Sequence, residues 1–161
     1  MAKKVKVKKT LVEQILTKAG VDHQGIQINA LEGELPSDYD RNHIFKTLAL
    51  LGDKTGPVIG IVPIAEHLSE KKLAKISGNK KVAMIPQKDL EKTTGYIHGA
   101  NNPVGIRQKH NYPIFIDETA LELEKLIVSA GEVGHSIVIA PKDLANFVKA
   151  SFVDILEESN S

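Results

Sequence analysis

Lys46 has the most unusual surroundings of any residue here that could do chemistry. It sits inside HIFKTLALL, residues 43–51, with Phe45, Leu48, Ala49, Leu50 and Leu51 around it. A lysine in such a run either lies on the open face of a half-buried strand, its stem along apolar surface, or holds its ammonium partly out of water. In the second case its pKa falls, and it becomes a proton acceptor or a cation beside developing negative charge. The residues alone leave both readings open. A second concentration of special residues is GYIHGANNPVG, residues 95–105, which gathers Gly95, Gly99, Asn101, Asn102, Pro103 and Gly105. Glycines let a ligand approach the backbone closely, and successive amides can point at an anion or a carbonyl oxygen. An ordinary long connection has the same composition.

Other chemistries are less well supported. Gly52-Asp53-Lys54-Thr55-Gly56 imitates the end of a phosphate loop but lacks the four-residue spacer and the glycine before it, so it reads as a turn. His23, His43, His67, His98, His110 and His135 are scattered singly, with no pair three or four apart to grip a metal from one helix. No metal or other cofactor is expected. Ser129, in Val-Ser-Ala-Gly, has no glycine two residues before it, so a nucleophile elbow is not specified. His135 could still take its proton, but a hairpin serine bonding local backbone is the simpler expectation. With no cysteine in the sequence, disulfides, thiolate metal ligands and a cysteine nucleophile are all excluded.

These residues need elements to hold them. TLVEQILTKAG places Thr10 three residues before Glu13, a capping-box spacing, carries Leu11, Ile15, Leu16 and Ala19 at helical intervals and stops at Gly20. VDHQGIQI alternates as a half-buried strand, and residues 29–42 read as a polar loop leading into Lys46. The apolar runs at 44–51 and 57–64, joined by Gly52 to Gly56, predict a hairpin. EHLSEKKLAKISGN predicts a surface helix before Gly78, VAMIP a strand, and residues 87–94 a short helix ended by Gly95. YPIFID predicts a strand whose Asp117 caps a helix over 118–125. LIVSAGEVGHSIVIA predicts a hairpin turning at Gly131 to Gly134, and Pro141 opens the last helix. Helices and strands in this irregular order predict an α+β domain with a mixed, largely antiparallel sheet flanked by short helices.

At 161 residues and 42% hydrophobic content, the protein is expected to form a single compact domain, 1–161, with residues 1–9 a basic, candidate flexible N-terminal segment. Lysine and arginine total 21 against 20 for aspartate and glutamate, so long-range attraction to polyanions is weak and any nucleic-acid contact must be local. The basic residues between 71 and 92 carry no interleaved aromatics and read as a solvated helix face. The basic start is not followed by a continuous apolar core, so secretion is not expected. The longest apolar stretch, Pro57 to Ala65, is far short of the roughly 20 residues of a membrane span. A soluble cytoplasmic protein is the expectation.

FKTL at 45–48, TTGYIHGANNPVG at 93–105, IDETALELEKLIVSAGEVG at 116–134 and APKDL at 140–144 together resemble the YbaK/EbsC aminoacyl-tRNA deacylases, in the family's order through nearly the whole sequence. The likeness is greatest to the EbsC-type branch, and the sequence is similar, more distantly, to the editing domain inserted in some prolyl-tRNA synthetases. The resemblance implies removal of a wrong amino acid, typically cysteine, from the proline tRNA, with aminoacyl-tRNA (its acceptor end) and prolyl-tRNA synthetase as partners and no metal. It further implies that the substrate's own sulfur attacks the ester, giving a thiolactone. On this resemblance Lys46 matches the active-site lysine, Gly99, Ala100, Asn101, Asn102 and Pro103 form the substrate loop, with backbone amides of Gly99 to Asn102 stabilising the oxyanion, and Ser129 and Gly131 lie at the pocket edge.

Some positions depart from the family pattern. Gly99-Ala100 replaces two adjacent glycines and Asn102 replaces a serine, which is expected to put a methyl and an amide into the pocket wall. Gly131-Glu132-Val133-Gly134 replaces Gly-Lys-Arg-Gly, removing two cations that could meet a phosphate. A deacylase preferring another small amino acid such as alanine, and a noncatalytic module binding aminoacyl-tRNA or a nucleotide, are the alternatives.

Overall fold

The computed structural model describes residues 9–27 and 39–158. The basic segment up to residue 8 and most of the polar loop, residues 28–38, lie outside the described residues. Helix α1 (Leu11–Lys18) begins in the capping box read from the sequence: Thr10 Oγ1 accepts from Glu13 N–H at 3.3 Å and Glu13 Oε2 from Thr10 N–H at 2.8 Å. Its buried face is turned slightly from expectation, through Val12 and Leu16, while Leu11 is exposed.

The strands form two sheets. In the first, β1 (Gln24–Gln27), β7 (His135–Ile139) and β6 (Leu126–Ser129) lie side by side, antiparallel throughout. The second has the order β4 (Val82–Met84), β2 (Phe45–Gly52), β3 (Gly56–Pro63), β5 (Ile114–Asp117), β8 (Ser151–Val153). Here β2 is antiparallel to β3 and β4, whereas β3–β5 and β5–β8 are parallel. A parallel bridge from Ile44 to Ile127 links the two sheets. The α+β class with mixed, largely antiparallel pairing holds, with the pairing divided between two sheets instead of one.

Alternation along β2 and β3 sends side chains to two cores. Phe45, Ala49, Ile59 and Ile61 face the larger one, with Leu126, Val128, Ile137, Ile139 and the buried faces of α1, α4 (Pro103–Lys109) and α5 (Pro141–Val148). Leu50, Val58 and Val62 face the smaller one, with Leu73 of α2 (Glu70–Ser77) and Ile155. Helix α3 (Gln87–Thr94) ends at Gly95 as expected.

Three elements differ from the sequence reading. Residues 103–109, read as the end of a loop, are α4, with Asn102 as N-cap and Pro103 in its first turn. Asp117 does cap the next segment, but that segment is a 3₁₀ turn, Glu118–Glu122. Strand β8 was not anticipated, since three residues are too few to show alternation. The segment following β8 is fastened by Asp117, which is 1% exposed: one carboxylate oxygen accepts from Thr119 N–H and Oγ1–H, and the other from Ile155 N–H at 3.1 Å.

The β2–β3 turn is tied to the segment after α2 by two side chains, Asp53, which accepts from Lys80 and Lys81 N–H, and Asn79. Asn79 Oδ1 accepts from Lys54 and Thr55 N–H at 2.8 and 3.0 Å, and its Nδ2 donates to Thr55 Oγ1 and Ser77 Oγ. Removing it takes away these four hydrogen bonds, of which water replaces only part because Asn79 itself is buried. Asn79→Ala is therefore expected to cost about 2 kcal/mol, read as a lower urea midpoint with an unchanged slope.

Candidate active site

The site begins with an incompletely covered strand. The register sets Lys46 opposite Val62, and Ile64 N–H donates to Ile44 C=O at 2.9 Å. This phase turns the backbone polar groups of the even-numbered β2 residues toward β3 and those of the odd-numbered ones toward the other edge. On that edge β4 pairs only with Leu50 to Gly52, extended by Ile85 N–H on Ala49 C=O at 3.2 Å. At the far end β6 reaches it at Ile44. Between these two supports the edge is open, and Thr47 N–H and C=O point into the gap.

A cavity of about 200 Å³ occupies the gap. Five consecutive β2 residues, Phe45 to Ala49, line it, which follows from its position at a strand edge instead of a sheet face. Met84, Ile85 and Leu90 supply apolar wall, and His98, Gly99, Asn101 and Ser129 face them. Lys46 is half-buried there. Desolvation pulls its ammonium below the ordinary lysine pKa, and the carboxylate of Glu66, just beyond β3, partly restores it.

The loop from Gly95 to Asn102 is held at both ends. Thr94, fully buried at the end of α3, accepts from Tyr96 N–H through Oγ1. At the other end Asn102, also fully buried, accepts from Gly105 N–H at 2.6 Å and donates to Ala100 C=O at 3.1 Å. Gly105 is required by close approach: a Cβ there would run into the Tyr96 ring and hydroxyl. Gly131 combines φ of 93° with tight surroundings, where an added Cβ would stand 3.1–3.3 Å from Val12, Asn102 Nδ2 and Tyr96 Cε1. A side chain there would push the β6–β7 turn off the loop.

The structure thus brings Lys46, Gly99, Asn101 and Ser129 to one cavity. Ala100, Asn102, Pro103 and Gly131 lie behind its wall. The methyl of Ala100 and the amide of Asn102 are buried and do not line the cavity, contrary to the expectation that they enter the pocket; for Asn102 the reason is that a helix N-cap points its side chain back at its own first turn. Ala100 N–H is also spent, donating to Ile97 C=O at 3.0 Å, whereas Gly99 and Asn101 N–H have no acceptor among the described residues. Ser129 Oγ accepts from Gly131 N–H at 3.2 Å, the local bond anticipated for a hairpin serine, and no Ser129–His135 hydrogen bond is formed. Thr47 and His98 also line the cavity and were not singled out from sequence. Their adjacency to Lys46 and Gly99 was the available signal. Among the described residues no three His, Asp or Glu side chains converge on a metal-sized point, and no helix is long and apolar enough to cross a membrane.

Residues 36–147 match the sequence profile of the aminoacyl-tRNA editing domain. Over 162 aligned residues the protein is 37% identical to one of Enterococcus faecalis that carries the name of a Cys-tRNA(Pro)/Cys-tRNA(Cys) deacylase, EbsC, covering 96% of this sequence and 98% of that one. Among solved structures, one described as a trans-editing enzyme for prolyl-tRNA synthetase superposes with a TM-score of 0.68 at 19% identity, covering 93% of this protein and 82% of that one. A scaffold protein from work on grafted linear epitopes superposes at 0.80 with 22% identity, covering 92% and 96%. These two likenesses concern the fold. The profile match, which takes in the open β2 edge and the whole loop facing it, together with the near-full-length identity, establishes that the protein belongs to the aminoacyl-tRNA editing domain family.

Proposed function

We propose that this protein is a trans-editing deacylase that clears a small amino acid, cysteine foremost, from misacylated tRNA(Pro). The observation that carries this reading is the meeting of Lys46 with Gly99 and Asn101 across one small cavity. At about 200 Å³ it is below the roughly 300–1,000 Å³ of drug-sized sites and suits a small acyl group. Editing of this kind is needed because a hydrophobic synthetase pocket separates amino acids differing by one methylene-sized group by only about 1–3 kcal/mol.

The protein brings no thiol, and Ser129 Oγ accepts a local bond from Gly131 N–H; following the family resemblance, the nucleophile in this reading comes with the substrate. The cysteine sulfur attacks the ester carbonyl carbon; a C–S bond forms, the C–O bond to the ribose breaks, and the thiol proton ends on the ribose oxygen. Cysteine thiolactone and free tRNA leave. An intramolecular attack held in a reactive pose gains an effective molarity of about 10⁵ M or more, so the protein's task is chiefly positioning. Lys46, as a cation, orients the ester and offsets charge growing on its oxygen. The free N–H groups of Gly99 and Asn101 are suited to stabilise the same oxyanion, a contribution of about 3 kcal/mol per donor. Near the loop, the β6–β7 turn presents Glu132 and an exposed Val133 where cations would grip phosphate. Prolyl-tRNA synthetase, already holding the tRNA, is therefore the partner expected to deliver it.

Purified protein is expected to release cysteine from cysteinyl-tRNA(Pro), to act weakly on alanyl-tRNA(Pro), which has no thiol, and to spare prolyl-tRNA(Pro). Cleavage of none of them would sink the enzyme reading, while faster loss of alanine would replace the thiol step by attack of water. Lys46→Ala should lower kcat/KM on cysteinyl-tRNA(Pro) by roughly 100-fold; an unchanged rate removes Lys46 from the mechanism. Because the charged lysine is the working form, the enzyme-dependent rate falls as pH rises through its lowered pKa. Glu66→Gln withdraws the attraction that partly restores that pKa, so the alkaline limb should move to lower pH. A limb that stays in place would mean that the Lys46 charge does not set it.

A further inference from the structure

Two polar side-chain atoms of cavity-lining residues have no hydrogen-bond partner among the described residues: Thr47 Oγ1 and Asn101 Oδ1. Both are sealed from water, and Asn101 as a residue is only 8% exposed. The amide orientation is not arbitrary. Asn101 Nδ2 donates to Ile97 C=O at 3.2 Å, so the other end must be the oxygen, which can only accept. Leaving such an atom unpaired costs about 1–3 kcal/mol. Two of them on one cavity, where Phe45, Leu48, Met84 and Leu90 stand beside the polar Gln87, His98 and Ser129, point to a ligand that completes them. Thr47 adds its unpaired backbone carbonyl on the open edge.

The placement of these acceptors relative to Lys46 identifies the donor. Lys46 and Thr47 are consecutive in a strand, so their side chains leave it on opposite faces. The cavity spans the strand edge between them, with Lys46 leaving the strand on one side and Thr47 on the other, and Asn101 lines the same cavity. An aminoacyl ester carries the matching pair on adjacent carbons: a carbonyl oxygen, which takes the cation, and an α-ammonium with three N–H donors, which takes the acceptors. A ligand whose only polar atoms were acceptors would leave Asn101 Oδ1 unpaired, since that oxygen only accepts, whereas Thr47 Oγ1 can also donate. Both residues line the cavity; a rotation about χ1 brings the Thr47 oxygen to its surface, and Asn101 does the same by giving up its bond to Ile97 C=O.

Resting on the deacylase reading, we propose that Thr47 and Asn101 form an anchor for the α-ammonium of the aminoacyl group. They thereby restrict the site to acyl groups bearing a free α-amine. Nothing in the ester cleavage consumes that amine, so its removal tests recognition without disabling the chemistry.

The experiment compares cysteinyl-tRNA(Pro) with its deamino counterpart, 3-mercaptopropionyl-tRNA(Pro), which keeps the thiol and ester. The wild-type protein is expected to favour the amine-bearing substrate in kcat/KM by about tenfold or more, the size of a charge-assisted hydrogen bond. That ratio should fall toward one in Asn101→Leu and in Thr47→Val. Because it is a ratio within each variant, partial misfolding scales both rates and leaves it intact. A wild-type ratio near one overturns the amine site, and a high ratio untouched by both substitutions overturns these residues as its anchor. Failure to cleave either ester is a different outcome, which removes the deacylase reading and this proposal with it.

Discussion

Strand β2 is hydrogen-bonded along its whole length on one edge and only at its two ends on the other. The arrangement of the site depends on that asymmetry. Had β4 continued for four more residues toward β6, the gap would be a paired sheet, Thr47 would bond another strand, and no cavity would separate Lys46 from the loop at Gly99. An uncovered edge is ordinarily a liability, since its free backbone groups invite other strands. Here it is short, recessed between β4 and β6, and faced by a loop instead of solvent, so its polar groups are available to a small molecule and not to another strand.

The loop facing the edge is rigid for reasons that lie outside the cavity. Thr94 fixes its start, Asn102 its end, and Gly131 and Gly105 allow the β6–β7 turn and Tyr96 to press against it. Asn102 holds the loop to the first turn of α4, so the loop cannot shift without uncapping a helix. Residues that were candidates for touching substrate thus divide into those that face it and those that hold the facing ones still. Loss of either kind would lower activity, but only the first kind would change which substrates are accepted.

Much of this was legible in the sequence. The capping box of α1, the hairpin through Gly52 to Gly56, the stop of α3 at Gly95 and the turn at Gly131 to Gly134 each rest on local rules, and the structure follows them. Lys46 stood out because a charge inside an apolar run conflicts with its surroundings. The start of α4 could have been read from Asn102-Pro103, an N-cap followed by proline in the first turn, but the density of turn residues pointed toward a continuous loop. The burial of the Asn102 amide follows from that same helix start, so the missed boundary led to a misplaced side chain. Strand β8 and the split into two sheets depend on pairing between distant segments, which no local pattern encodes. Beyond its adjacency to Lys46, Thr47 carries no local signal; its place comes from the register against β3 and from where β4 ends.

Asp117 has a further consequence for how the molecule is made. As the ribosome releases the polypeptide, β3 and β5 emerge well before the segment that covers the outer side of β5. Until Ser151 to Ile155 follow, the Asp117 carboxylate lacks its Ile155 partner and β5 offers a bare edge to whatever is nearby. Completion of the larger sheet therefore waits on Ser151 to Val153, and until they follow the nascent protein keeps an open edge prone to misassociation.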